Sequence, residues 1–131
     1  MMEQLYQEVI LDYYRNPRNK GHLDNPQIKA CDVNDSCGDE ITIEATEKNG
    51  KMSEIKFSGQ GCAISQSAAS MLTEYVQGKS VENIAKLNKE EVLKLLNIPV
   101  SGMRLKCALL GFKVLKLGII EYLGGKNGSS S

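Results

Sequence analysis

The residues in this sequence best suited to chemistry are its four cysteines, Cys31, Cys37, Cys62 and Cys107. Thiolates are soft ligands and good nucleophiles, suited to zinc, ferrous iron, iron–sulfur clusters and sulfur exchange. Three of the four stand where one element gives way to another. Cys37 lies in Cys37-Gly38-Asp39, where Gly38 lets the backbone bend so that Cys37 and Asp39 can face one centre. Cys62 lies in Gly59-Gln60-Gly61-Cys62-Ala63-Ile64-Ser65, at the start of a helical pattern. The positive end of a helix and its free N–H groups favour a thiolate. Cys107 lies early in the last helix, in Arg104-Leu105-Lys106-Cys107-Ala108. Three thiolates with Asp39 form a reasonable ligand set for a metal. The carboxylate is the harder, weaker partner for a cluster iron, which suits transfer better than storage. Such a thiolate-rich set is strongly negative, and Lys106 and Arg104 are placed to offset that charge.

Each residue also has a plainer reading. The cysteines are far apart along the chain and do not form a paired C-x-x-C zinc knuckle. From spacing alone, a shared metal site and separate small core residues both stay open. Cys31 falls within a strand pattern, without glycine neighbours, and is read as structural. Asp39 fits a turn as well as a ligand role. His22, the single histidine, follows Gly21 in a loop and is expected to be exposed. Lys106, Lys113 and Lys116 share a helix face and read as a solvated stripe. Gly111 and Gly118, on the side of Cys107, suggest close helix packing that could bring Cys107 toward Cys62.

The elements that must position these residues follow from periodicity. Glu3 to Tyr14 has helical spacing and ends at Asn16-Pro17. Asn16 to Pro26 reads as an ordered loop. Three strands are expected over Ile28–Asp35, Glu40–Glu47 and Met52–Ser58; in the first, Ile28 and Ala30 form the apolar alternation, with Val33 an apolar residue that could extend it. Asn49-Gly50 marks a hairpin, and a one-residue irregularity after Met52 suggests a bulge. Helices are expected from Ala63 to Gln77, from an Ser80 cap to Lys86, from an Asn88 cap to Asn97, and from Met103 to Leu123. Strands followed by helices indicate an α+β domain over 1–123, with a flexible Gly/Ser tail over 124–131.

Composition narrows the function classes. The chain has 131 residues, 41% of them hydrophobic, enough for one core without disulfide staples. Lys plus Arg and Asp plus Glu are 16 each, a net charge of zero, which argues against a nucleic-acid binder or a polybasic membrane-surface protein. No apolar run is long enough to span a membrane, and no secretory leader is seen, so a cytoplasmic protein is expected.

Four motifs occur in order: Asn16-Pro17-Arg18-Asn19-Lys20-Gly21, Cys37-Gly38-Asp39, Gly59-Gln60-Gly61-Cys62-Ala63-Ile64-Ser65 and Lys106-Cys107-Ala108. Together, over about Leu5 to Leu123, they resemble the U-type iron–sulfur scaffold family, the IscU, SufU and NifU N-terminal group. The resemblance implies a three-stranded antiparallel sheet with about five helices on one face. It implies Cys37, Asp39, Cys62 and Cys107 as ligands of iron or a nascent [2Fe–2S] cluster. It further implies a cysteine desulfurase as sulfur donor, recipient apo iron–sulfur proteins, and a scaffold or sulfur acceptor rather than a stand-alone enzyme. Cys37 and Cys107 are the candidate persulfide acceptors, with Lys106 and Arg104 as electrostatic support. IscU-like members carry His where this chain has Lys106, and a Leu-Pro-Pro-Val-Lys segment where Val100 to Arg104 reads Val-Ser-Gly-Met-Arg. The second departure argues against docking of the dedicated heat-shock chaperone. SufU-like members, which hold zinc and act as sulfurtransferases, share the stretch around Lys106. They carry an insertion before the third cysteine for which this chain leaves little room.

Overall fold

The computed structural model describes residues 2–35, 38–97 and 102–127; of residues 2–7, 103 and 125–127 the backbone alone is described. The order of elements is α1 (Met2–Arg15), β1 (Ile28–Asn34), β2 (Asp39–Lys48), β3 (Lys51–Gln60), α2 (Ala63–Val76), α3 (Val81–Ala85), α4 (Lys89–Leu96) and α5 (Met103–Asn127). The three strands form one antiparallel sheet in the order β1-β2-β3. The fold is thus α+β, as the alternating and helical stretches indicate.

Alternation places Ile28 and Ala30 of β1, Ile41, Ile43 and Ala45 of β2, and Met52, Ile55 and Phe57 of β3 on the inner face. Between Met52 and Ile55 the spacing slips by one residue, and the β2–β3 register shifts there between Thr46 and Glu47. The irregularity in the sequence is this bulge, which returns Ile55 and Phe57 to the core. Asn49 and Gly50 both have positive φ, at 55° and 80°, the backbone a two-residue hairpin with right-handed strand twist requires. On β1 the same alternation turns Cys31 and Val33 outward. Val33 is 46% exposed, so it does not join the core, and Cys31 is an exposed residue rather than a buried one.

α2 and α5 cover the inner face, α2 against β3 and α5 against β1 and β2, while α1 packs on α2. The two glycines of α5 allow this close approach. A Cβ at Gly111 would stand 3.4 Å from Ala69 of α2, and one at Gly118 would stand 3.0 Å from Ile28 and 3.3 Å from Ala30 of β1. Ser80 and Asn88 cap α3 and α4 as expected, Asn88 in a capping box with Glu91. α4 ends at Leu96, as expected to within a residue, and Asn97 caps it in a left-handed conformation with φ 49°. α5 continues to Asn127, past the expected end at Leu123. Among the described residues, no helix is long and apolar enough to cross a membrane.

The segment after α1 is ordered by its contacts. Arg18 N–H donates to Ser70 Oγ at 2.7 Å, and Asn19 and Gly21 pair with Phe57 on the outer edge of β3. His22 is exposed, with Nδ1 3.1 Å from Glu44 Oε1 on the outer sheet face.

Candidate metal centre

Asp39 opens β2 opposite Asn34, the last residue of β1. Its side chain is directed into the fold and is only 1% exposed. Oδ1 accepts the backbone N–H of Cys62 at 2.8 Å, while the buried Oδ2 has no hydrogen-bond partner among the described residues. A buried carboxylate oxygen without a donor is costly unless a cation or another donor satisfies it.

Two glycines make room for this carboxylate. Gly59 has φ +134°, and a Cβ there would lie 1.9 Å from the Glu40 carbonyl oxygen, so only glycine lets the end of β3 pass the start of β2. Gly61 has φ +152°, and its missing Cβ would fall 2.3 Å from Asp39 Oδ1. Cys62 follows as the N-cap of α2, its Sγ accepting Ser65 N–H at 3.4 Å. A thiol in that place meets the unsatisfied amides of the first turn.

Cys107 reaches the same point from α5 and is 2% exposed. Asn34 Nδ2 stands 3.7 Å from its Sγ. One ligand atom each from Asp39, Cys62 and Cys107 lies within 4.8 Å of the others. Donors on one tetrahedral zinc or iron ion, with bonds of about 2.0–2.3 Å, stand about 3.3–3.8 Å apart, so a small inward movement of these side chains would close them on one ion. The donor set is soft, anionic and mostly buried, and it includes an orphaned carboxylate oxygen, so it fits a thiophilic cation. Cys37, the fourth expected ligand, lies outside the described residues, as do residues 98–101 with most of the segment compared with the chaperone-docking motif.

Lys106 and Arg104 are exposed, and neither makes an ion pair among the described residues. Lys113 and Lys116 depart from a simple solvated stripe. Lys113 pairs with Asp32 at 3.0 Å, holding that carboxyl below its ordinary pKa, and the Lys116 ammonium donates to the carbonyls of Ala85 and Leu87. His22 and Cys31 are not among the converging ligands. Reading the sequence alone missed Asn34, the steric role of Gly61 and the buried amide of Gln66, whose Oε1 and Nε2 both lack a partner among the described residues. The available signal for the second was the Gly-Gln-Gly run beside Cys62.

The NifU-like N terminal domain family model matches residues 5–128. The zinc-dependent sulfurtransferase SufU of Bacillus subtilis is 33% identical over 141 aligned positions, covering 95% of each chain. The iron–sulfur cluster assembly scaffold protein IscU of Thermotoga maritima is 34% identical, covering 88% of this chain and 93% of that one. The crystal structure of FiSufU from Fervidobacterium islandicum AW-1 superposes with a TM-score of 0.73 at 28% identity, covering 89% of this chain and 98% of that one.

Proposed function

The chain belongs to the NifU-like N-terminal domain family, and we propose that it is an iron–sulfur cluster assembly scaffold. The observation that carries this reading is the convergence of Cys62 and Cys107 with Asp39, a buried carboxylate whose Oδ2 has no hydrogen-bond partner among the described residues. Iron or a [2Fe–2S] cluster is the cargo, held by Asp39, Cys62 and Cys107 together with Cys37. A mixed thiolate–carboxylate set grips it less firmly than four thiolates and so releases it to an apo iron–sulfur protein. Sulfur arrives from a cysteine desulfurase as a persulfide. A thiolate of this chain attacks the outer sulfur, a new S–S bond forms, and the desulfurase cysteine leaves as thiolate. The burial of Cys107 favours Cys37 as the acceptor. Lys106 and Arg104 supply positive charge beside the anionic site. We place this activity in the cytoplasm.

A second reading is favoured by the resemblance to the Bacillus subtilis sulfurtransferase across 95% of both chains and by Lys106 beside Cys107. In it the same four residues hold zinc, which neutralises the thiolates and orders the site, and the chain only relays sulfur. Metal analysis and absorbance of anaerobically purified protein test the choice. The scaffold reading expects a visible charge-transfer spectrum after incubation with ferrous iron, cysteine and desulfurase. Bound zinc alone, with no cluster formed under those conditions, overturns it in favour of the relay. Unchanged metal content in the Cys37, Cys62 and Cys107 alanine variants overturns both.

A further inference from the structure

The two edges of the sheet are treated differently. On β3, the backbone groups of Phe57 and Met52 are taken up by Asn19, Gly21, Gly78 and Lys79. On β1, no backbone group of another segment pairs with the outer edge among the described residues, and the Val33 N–H alone is occupied, donating to the carboxylate of its neighbour Asp32 at 2.8 Å. An open edge is a template for an added strand. Beside the end of this edge runs a groove of about 950 Å³ between β1 and α5. Two large apolar side chains of α5 stand exposed along it, Leu117 at 39% and Ile120 at 61%. Its rim carries Lys89, Lys106, Lys113 and Lys116 against the single carboxylate of Asp35. Lys113 and Lys116 are engaged with Asp32 and with backbone carbonyls, while Lys89 and Lys106 have no ion pair among the described residues. In a chain with no net charge, this basic excess arises from the fold rather than from composition.

We propose that the β1–α5 groove is a docking site for an extended acidic segment of a partner protein, which adds a strand to β1, sets apolar side chains against Leu117 and Ile120, and meets the lysine rim with carboxylates. In strand addition the main-chain hydrogen bonds of an edge give affinity and sites for alternate side chains give specificity; here the lysine rim adds charge complementarity to both. Charge sets the choice of partner and the speed of encounter more than the tightness. Because Lys106 precedes Cys107, the docked segment lies next to the candidate metal centre. Its role in delivering or receiving sulfur or cluster rests on the scaffold reading, whereas the docking itself does not.

The test is a titration of isotope-labelled full-length protein, metal-free and zinc-loaded, followed by backbone NMR. The probe is a synthetic peptide alternating Glu or Asp with Leu or Val, and the control replaces its acids with Lys. Expected are saturable shifts in the β1 amides and in α5 between Leu109 and Ile120, slowed exchange of the outward β1 amides, and binding at least about tenfold weaker for the basic peptide. Raising salt from about 50 to about 300 mM weakens the acidic peptide several-fold. Lys89→Glu and Leu117→Asp each weaken it by about fivefold or more while the rest of the spectrum stays folded. Lys89 is in the first turn of α4, where a glutamate suits the helix end, so that variant is safe to fold. Equal binding of both peptides, or shifts that spare β1, overturns the proposal. The same shifts on simple concentration of the protein overturn it in favour of a second copy as occupant. Metal content plays no part in these readouts, so their failure is distinct from failure of the scaffold reading.

Discussion

Replacing Gly61 with alanine tests how the candidate centre is built. The added methyl carbon would stand 2.3 Å from Asp39 Oδ1, 2.9 Å from Asp39 Cγ and 2.9 Å from Ser65 Oγ. Ordinary non-bonded carbon contacts lie near 3.5–4.0 Å, so the carboxylate must retreat by about 1 Å or the loop must open. Asp39 is 1% exposed and has little space to retreat into. Its 2.8 Å hydrogen bond from Cys62 N–H then breaks, a charge-assisted bond of about 1.5–3 kcal/mol. A side chain at φ +152° adds about 1–3 kcal/mol of backbone strain. The apo protein is expected to lose about 3 kcal/mol or more in urea unfolding. Gly50→Ala is the control, with φ +80° and open space, and strain alone costs it about 1–2 kcal/mol. Zinc affinity, measured by competition with a chromogenic chelator, should fall about 10–100-fold in Gly61→Ala and stay unchanged in Gly50→Ala. An Asp39→Ala background removes the main clash, so the two substitutions should be clearly non-additive in stability. Wild-type affinity in Gly61→Ala, or strict additivity with Asp39→Ala, would refute the steric argument.

Other substitutions probe neighbouring parts of the molecule. Asn34→Ala removes the amide beside Cys107 Sγ and should weaken cobalt or zinc binding about tenfold, with a shifted thiolate-to-cobalt absorption band. Gln66→Met replaces a buried, unpartnered amide with an apolar side chain of similar length and should stabilise the fold by about 1 kcal/mol or more in urea unfolding. Gly118→Val forces a branched side chain against Ile28 and Ala30 and should cost about 3 kcal/mol, read from the same midpoint. The Asp32 carboxyl is held below its ordinary pKa of 3.8, first by its bond to Lys113 and then by the Val33 N–H. Its contribution is therefore fully present above that value and lost as pH falls below it, and acid titration of Lys113→Met should show a smaller loss over that range than wild type.

Much of the sheet was legible because its signals are local. Ile41, Ile43 and Ala45 alternate, Asn49-Gly50 permits only a tight turn, and the slip after Met52 is a bulge written into the spacing. The outward placement of Cys31 and Val33 could not be read from residue type, because an apolar or thiol side chain does not say which face it takes; the phase set by Ile28 and Ala30 does. The extra length of α5 escaped notice because Gly124 reads as a terminator, yet it stands in open space and a helix can run through it at modest cost. In the candidate centre, the residue types and their glycine neighbours were visible, but the convergence was not. It depends on Asn34 facing Asp39 across the sheet and on α5 seating against Ala69 and Ile28. Those are long-range facts of packing that no window of sequence contains. Gln66 was hidden by its small-residue helix, whose pattern gives no hint that an amide is enclosed without a partner.

The seating of Cys107 on the last helix also orders events in time. A ribosome releases the chain from its first residue, and the sheet and α2 emerge before α5 does. Asp39 and Cys62 are therefore synthesised well before the donor that completes their site. A nascent chain can present a carboxylate and an N-cap thiol, but it gains the third ligand only when α5 is free to close over the sheet. Metal capture through all three thus waits until α5 has emerged and closed, and once it occurs it stabilises the whole fold, since only the folded state brings the donors together.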